Sequence, residues 1–451
     1  MVARQQFGKL RLLRHPAQYV VVAFVVATAV GTVLLLLPFS AQERGTTTPM
    51  EALFTAASAV CVTGLVVVDT PTHWSGFGQW VILGLIQVGG LGIMTLSSLI
   101  VLTLARRLGL RQRLNAAAST NSLDLTDVRG LLVGIARLTF TFQSVVAVLL
   151  TLRLWLEHGE PLGRAAYLGL FHAVSAFNNA GFALYSDSLI GFAEDSFLLL
   201  VVGVAVVAGG LGFPVWVQVG RHPWRPHWWT LHAKLTVATA GVLIVIGTVL
   251  LAWFEWTNPD TFGPLSAWDS SVNALFHSIT PRTAGFNSID VAGLREPSLL
   301  LTEILMFIGG GSGSTAGGIK VTTFALLGFV MWAEARGDPD VVVFDRRVPH
   351  AVQRQALSVA LLAVGMVVAS TMVLLSITPQ IRANLLFEVI SALGTVGLST
   401  GITAELTTSA QLLVVGLMLI GRVGPVTLFA ALVLRERDRL YHHPNERPLI
   451  G

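Results

Sequence analysis

The chain has 451 residues, 53% hydrophobic and only 12% charged, with a net charge of +4 and a mean hydropathy of +0.71. Soluble domains carry about a quarter charged residues, so this composition excludes an ordinary water-soluble enzyme and points to lipid. The basic residues form no contiguous domain of the kind a nucleic-acid partner needs, and the single cysteine, Cys61, excludes an intrachain disulfide.

Along the chain, eight apolar runs near the ~20 residues that cross a bilayer are predicted as spans. They are Tyr19–Phe39, Gly78–Leu104, Leu131–Leu156, Phe197–Val219, Leu231–Phe254, Leu299–Trp332, Ala356–Ile377 and Leu412–Leu434. The first is too long for a signal peptide and has no small-residue cleavage site before "PFSAQERG". Of the 29 Lys and Arg residues, 20 fall in alternate connections: the N-terminus (Arg4, Lys9, Arg11, Arg14), the stretch around "ARRLGLRQR", Arg221–Lys234, Arg336–Arg354 and the tail "RERDRLYHHPNER". The positive-inside bias predicts a multi-pass cell-membrane protein with both termini in the cytoplasm.

Between paired spans one pattern occurs four times: "ALFTAASAVCVTGL" (Ala52–Leu65), "GLFHAVSAFNNAGF" (Gly169–Phe182), "ALFHSITPRTAGF" (Ala274–Phe286) and "LLFEVISALGTVGL" (Leu385–Leu398). Each opens on Leu-Phe and closes on a Gly followed by Leu or Phe. About a dozen apolar residues are too few to cross, so each segment reads as re-entrant. Such backbone survives at membrane depth only when buried in protein or lining a wet cavity. The predicted fold is an all-α integral membrane protein of four span–pore helix–span repeats, with eight transmembrane helices and four re-entrant pore helices around a pseudo-four-fold pore. Repeats are placed at 19–104, 131–219, 231–334 and 356–434. Cytoplasmic segments are placed at 1–18, 105–130, 220–230, 335–355 and 435–451.

A dehydrated cation needs several oxygen dipoles at close range, which rings of backbone carbonyls supply. Turning consecutive carbonyls inward asks for angles that Gly reaches freely. The candidate filter segments are 62–65, 179–182, 283–286 and 395–398. Their selecting residues are Val62, Thr63 and Gly64; Asn179, Ala180 and Gly181; Thr283, Ala284 and Gly285; and Thr395, Val396 and Gly397. None is charged, which favours a weakly hydrated monovalent ion such as K⁺ over a divalent one. A single such motif reads as a turn after a packed helix; four in register read as a pore.

"AVCVTGL", "SAFNNAGF", "TPRTAGF" and "SALGTVGLST" resemble the four selectivity-filter segments of the Trk/Ktr/HKT superfamily of potassium transporters, over essentially the whole chain. Within it the chain is most similar to the membrane subunits of Ktr systems. The resemblance implies K⁺ uptake, often Na⁺-dependent, by a homodimer with one pore per subunit. It also implies a KtrA-like ring that binds ATP or ADP on the cytoplasmic face, and no nucleotide bound by this chain. Some plant relatives that favour Na⁺ carry Ser at the first Gly; all four are Gly here.

The sixth span contains "IGGGSGSTAGGIK" (Ile308–Lys320). It lacks the G-K-[ST] ending of a phosphate loop, and Gly disfavours helix interiors by about 1 kcal/mol each. The predicted element is a flexible intramembrane gate beneath the filter, comprising Gly309, Gly310, Gly311, Ser312, Gly313, Ser314, Thr315, Ala316, Gly317 and Gly318. The resemblance implies the same gate. The alternative, a glycine packing face, fits "GGLG" in repeats one and two better. Arg422 and Lys320 are intramembrane cations, which are costly and usually functional. Arg422 is expected to contact loop carbonyls, the alternative being a pair with Glu303 or Glu388. Lys320 either joins the gate or snorkels toward the cytoplasm.

His172 and His277 follow Phe in repeats two and three, where repeat one has Thr55 and repeat four Glu388. Helix-carbonyl bonds are expected for them before metal binding. Asp269 is expected as an N-cap, Glu51 in a first turn, and Arg282 beside an outer carboxylate. The basic tail is expected on the partner ring, on the other protomer or on anionic lipid. A secondary transporter for an organic solute would show two-fold repeats with acids or aromatics at broken helices. A membrane enzyme would cluster His, Asp or Glu within spans. A Na⁺-preferring transporter of the same fold stays open.

Overall fold

The computed structural model describes residues 16–107, 128–379 and 384–424, with side chains over those ranges except 16–19, 96–107 and 128–129. The basic N-terminus, most of the 105–130 connection, Arg382, the end of the Leu412–Leu434 run and the tail with its expected docking role lie outside the described residues.

In chain order the helices are α1 (Pro16–Leu35), α2 (Pro49–Cys61), the short α3 (Thr70–His73), α4 (Gly76–Arg107) and α5 (Val128–Leu156). Then come α6 (Leu162–Phe177), α7 (Ser196–Leu211), α8 (Phe213–Arg221), α9 (Leu231–Glu255) and α10 (Ala267–Ile279). The last five are α11 (Glu296–Ile308), α12 (Val321–Arg336), α13 (His350–Ile377), α14 (Leu385–Gly394) and α15 (Thr408–Val423). Among the described residues the strand pairing is a two-residue hairpin, Val342–Val343 with Arg346–Arg347, and an isolated bridge between Ala41 and Trp74. The hairpin turns through Phe344 and Asp345 at φ 46° and 61°.

Local chemistry sets the starts. Thr48 and Glu51 form a capping box at α2, and Pro49 stands where its missing N–H is harmless. Ser266, Thr230 and Thr407 cap α10, α9 and α15. The expected N-cap Asp269 instead lies three residues into α10, accepting from the Ser266 hydroxyl at 2.6 Å.

Four described helices are long and apolar enough to cross a membrane: α4 over Gly76–Thr95, α5 over Gly130–Leu156, α9 and α13. Their outer faces are bare of protein. Val133, Phe140 and Val148 on α5, Val242, Val245 and Val249 on α9, and Leu361, Val368 and Met372 on α13 are all exposed, an apolar surface that lipid covers and water would not tolerate. The short helices are the reverse. Phe54 through Cys61 in α2, Phe171 through Phe177 in α6 and Phe387 through Gly394 in α14 are buried throughout.

Each short helix packs against its preceding span and against at least one further helix. α2 meets α4 and α15; α6 meets α7 and α4; α10 meets α9 and α7; α14 meets α15 and α11. The series therefore runs from one pattern copy to the next and returns from α15 to α2.

Two of the eight predicted spans are not continuous helices. Phe197–Val219 divides into α7 and α8, bent by 99°. The break is at Gly212, whose φ of 89° lies outside helical space. Pro214 follows, lacking the N–H that a continued helix would use, and the Trp216 indole donates to the freed Ala208 carbonyl at 2.7 Å. Leu299–Trp332 divides into α11 and α12 around the glycine-rich stretch, as its composition required.

Candidate functional site

The four bends after α2, α6, α10 and α14 share one backbone conformation. Gly64, Gly181, Gly285 and Gly397 have φ of 92°, 70°, 74° and 95°. The residues two before them, Val62, Asn179, Thr283 and Thr395, are also left-handed, at 55°, 60°, 79° and 49°. Successive carbonyls of a uniform strand point to opposite sides; a φ that changes sign from residue to residue turns them to one side. Four strained non-glycine residues, at about 1–3 kcal/mol each, persist because their surroundings hold them. All four are buried.

The bends form a closed ring. A Cβ on Gly64 would strike the Ala180 carbonyl oxygen, and the Gly181 Cα would lie 3.1 Å from it. A Cβ on Gly181 would lie 2.7 Å from the Ala284 oxygen and 3.0 Å from the Gly285 Cα. Gly285 faces the Val396 oxygen in the same way, and Gly397 faces the Thr63 oxygen. Glycine is thus required twice at each position, by its angle and by the neighbouring carbonyl.

Hydroxyls at one register lock the bends. The Ser58, Ser175, Thr280 and Ser391 carbonyls accept from Thr63, Ala180, Ala284 and Val396 N–H at 2.8–2.9 Å. Their side chains act too: Ser58 and Ser391 accept from Gly64 and Gly397 N–H at 3.1 Å. Ser175 and Thr280 donate to the Phe182 and Phe286 carbonyls at 2.8 Å. Sequence reasoning passed over these four residues, although "SAV", "SAF" and "SAL" stand in register in three copies.

One cavity of about 560 Å³ is lined by all four ring glycines together with Asp69, Asp187, Ser399 and Thr403. It lies on the side of the residues that follow the glycines. The glycine-rich stretch lies on the other side, against residues that precede them. Thr315 donates to the Asn179 side chain at 3.2 Å, and a Cβ on Gly317 would strike the Gly394 carbonyl and the Thr395 hydroxyl.

The stretch makes main-chain bonds to the helices around it and within its own span. Gly311 N–H donates to the Gly210 carbonyl at 2.8 Å, Phe213 N–H to Gly313 at 3.3 Å and Val321 N–H to Gly310 at 2.9 Å. Arg422, 3% exposed, donates to the Thr315 carbonyl and to the Gly89 carbonyl at 3.2 Å. Among the described residues it pairs with no carboxylate, Glu303 and Glu388 included. Lys320 turns back onto the Ala316 and Gly317 carbonyls. Gly89 and Gly209, by contrast, press against the Val60 and Phe177 carbonyls at the ends of α2 and α6, which is helix packing.

The other polar residues are braces. His172 Nδ1 lies 2.8 Å from the Leu168 carbonyl and its Nε2 accepts from Leu184 N–H at 3.3 Å; His277 contacts the Thr302 hydroxyl at 3.3 Å. Arg282 differs from expectation, donating to the Ala240 carbonyl of α9 at 2.8 Å instead of to an outer carboxylate. The available acceptor was a main-chain oxygen of a distant helix, which no local pattern announces. No group of three or more His, Cys, Asp or Glu suited to a metal ion occurs among the described residues.

A protein family described as TrkH, cation transport protein, matches residues 3–442. The chain is 39% identical over 435 residues to the Ktr system potassium uptake protein B of Bacillus subtilis, covering 96% of each. To the Ktr system potassium uptake protein B of Vibrio alginolyticus it is 38% identical, covering 96% of this chain and 94% of that one. To the potassium/sodium uptake protein NtpJ of Enterococcus hirae it is 36% identical, covering 98% and 99%. The crystal structure of the potassium transporter TrkH from Vibrio parahaemolyticus aligns with a TM-score of 0.74, covering 94% of this chain and 86% of that one, at 19% identity; this is a likeness of fold.

Proposed function

The chain belongs to the TrkH family of cation transport proteins, and from that premise we propose that it is the K⁺-translocating subunit of a Ktr-type uptake system. The family is one of transporters, not enzymes, and the apolar helices make the chain a helical multi-pass membrane protein. In this reading eight crossings form four repeats, with both termini cytoplasmic. The twelve residues from Val62–Gly64, Asn179–Gly181, Thr283–Gly285 and Thr395–Gly397 form the selectivity filter, their carbonyls replacing the ion's water.

The observation that carries the reading is the ring itself. Four glycine bends, each against the next bend's carbonyl, line a single cavity. None of the twelve side chains is charged, so the dipoles suit a monovalent ion whose dehydration is cheap. Gly309–Gly318, with Lys320 and Arg422, is the gate, closed where it lies against Asn179 and Thr395. A homodimer and a KtrA-like nucleotide-binding ring complete the system, the ring supplying the cell-state sensing that the short cytoplasmic connections do not.

The test is tracer flux of K⁺, Rb⁺, Na⁺ and Li⁺ by the purified protein in liposomes, with and without a nucleotide-binding partner. K⁺ and Rb⁺ should pass well ahead of Na⁺ and Li⁺. Absent K⁺ flux in a folded preparation would sink the proposal. A Na⁺-preferring reading has one observation in its favour, the potassium/sodium uptake named for the Enterococcus hirae relative. Na⁺ flux exceeding K⁺ would select it, and stimulation of K⁺ flux by Na⁺ would make Na⁺ the accompanying ion.

A further inference from the structure

The position after Phe at the start of each re-entrant segment carries Thr55, His172, His277 and Glu388. The ring glycines repeat one conformation, but these four side chains do not. The Thr55 hydroxyl has no hydrogen-bond partner among the described residues, and His277 faces α11 through Thr302. Two reach the strand that leaves the ring. His172 accepts from the main chain of Leu184, three residues past Gly181. Glu388 takes hydroxyls: Ser399, two residues past Gly397, donates to Oε2 at 3.0 Å, and Thr403 donates to Oε1 at 2.5 Å.

Glu388 is fully buried, and Ser399 and Thr403 line the cavity above the ring. Both hydroxyls donate to the Glu388 oxygens, which turns their hydrogens inward, away from the cavity, and leaves the hydroxyl oxygens as acceptors. Ser399 uses part of that capacity on Gly401 N–H at 3.1 Å, which fixes the turn. One buried side chain thus takes two hydroxyls from the segment that leaves the fourth bend, and tethers its exit at two points.

We propose that Glu388 is a positioning residue for the fourth bend. By orienting the Ser399 and Thr403 hydroxyls it sets the carbonyls of Gly397 and Val396, and with them the preference for K⁺ over Na⁺. The inference rests on the filter reading above.

The experiment is competitive K⁺/Na⁺ uptake in liposomes by the parent, Glu388→Ala, Glu388→Gln and the double variant Ser399→Ala/Thr403→Val, each first checked for elution as a folded species in detergent. The expected result is a K⁺/Na⁺ ratio lowered by about fivefold or more in Glu388→Ala, expressed as a higher KM for K⁺ with little change in maximal rate. Glu388→Gln, which keeps one acceptor oxygen, should fall between. The double variant leaves the carboxylate in place and removes only its donors, so it should move the ratio the same way; it decides the matter if Glu388→Ala does not fold. A parent that prefers K⁺, together with variants within twofold of its ratio, overturns this inference alone. A parent that carries no K⁺ overturns the transport reading and this inference together.

Discussion

Replacing Gly64 with Ser probes the ring at one defined point. The substitution puts a Cβ on a residue at φ 92° and drives it into the Ala180 carbonyl, with the Gly181 Cα at 3.1 Å. A left-handed residue with a side chain costs roughly 1–2 kcal/mol, and the collision is with backbone, which cannot rotate away. The ring must relax by moving the Ala180 carbonyl or the Gly64 bend. If that relaxation removes about 1–2 kcal/mol of the ion's stabilisation, K⁺ preference over Na⁺ falls by a factor of about 5–30. Competitive tracer uptake in liposomes measures it. Gly84→Ser on α4, where a Cβ meets nothing within 4 Å, is the comparator and should leave the ratio alone. A folded Gly64→Ser protein with the parent's ratio would refute the argument that this carbonyl ring discriminates ions.

Three further outcomes are expected. Deleting Gly309–Gly318 should raise ion flux severalfold in liposomes, since the segment lies across one side of the ring; unchanged or lower flux in a folded variant would count against a gate. Arg422→Ala removes the donor to Thr315 and Gly89 and should raise maximal uptake rate in the same direction; unaltered kinetics would end its assignment to the gate. At the cavity side of the molecule, burial alone would raise the Asp195 carboxyl pKa, but bonds from Arg153, His158 and Leu198 N–H outweigh it and hold the value below the ordinary one. A depressed pKa gives stability that is present above the unfolded value, about 4, and disappears as pH falls through the folded one. Asp195→Asn should therefore melt lower than the parent at pH 7, with the gap closing below about pH 4; a gap that stays constant down to pH 3 would show that the ion pair contributes nothing.

The meeting of the four bends was readable because the same spacing from Leu-Phe to Gly recurs, and repetition distinguishes a shared axis from four unrelated turns. The break in helix after Ile308 was readable because a run of glycines has no other reason to occupy an apolar span. The bend at Gly212 was not, although Pro214 was its signal: one Gly in "VAGGLGF" serves equally as a packing residue, as Gly209 does three residues earlier in α7. Partners were less legible still. Arg282 found a carbonyl on α9, Arg422 found Gly89 on α4 besides the loop carbonyl expected of it, and the stretch at 309–318 was fastened by main-chain bonds to Gly210 and Phe213. Main-chain acceptors leave no trace in residue identity. The Ser58, Ser175, Thr280 and Ser391 locks fell between these cases, being in register but made of a residue type common in any tight helix contact.

Gly397 faces the carbonyl of Thr63, so the last copy of the pattern completes a circle that the first began. The circle has no partial form. Each bend is braced by the next one's carbonyl, so removing any one of the four leaves its neighbour's glycine facing open space and the cavity unwalled on that side. A closed ring of this kind depends on its last segment as fully as on its first.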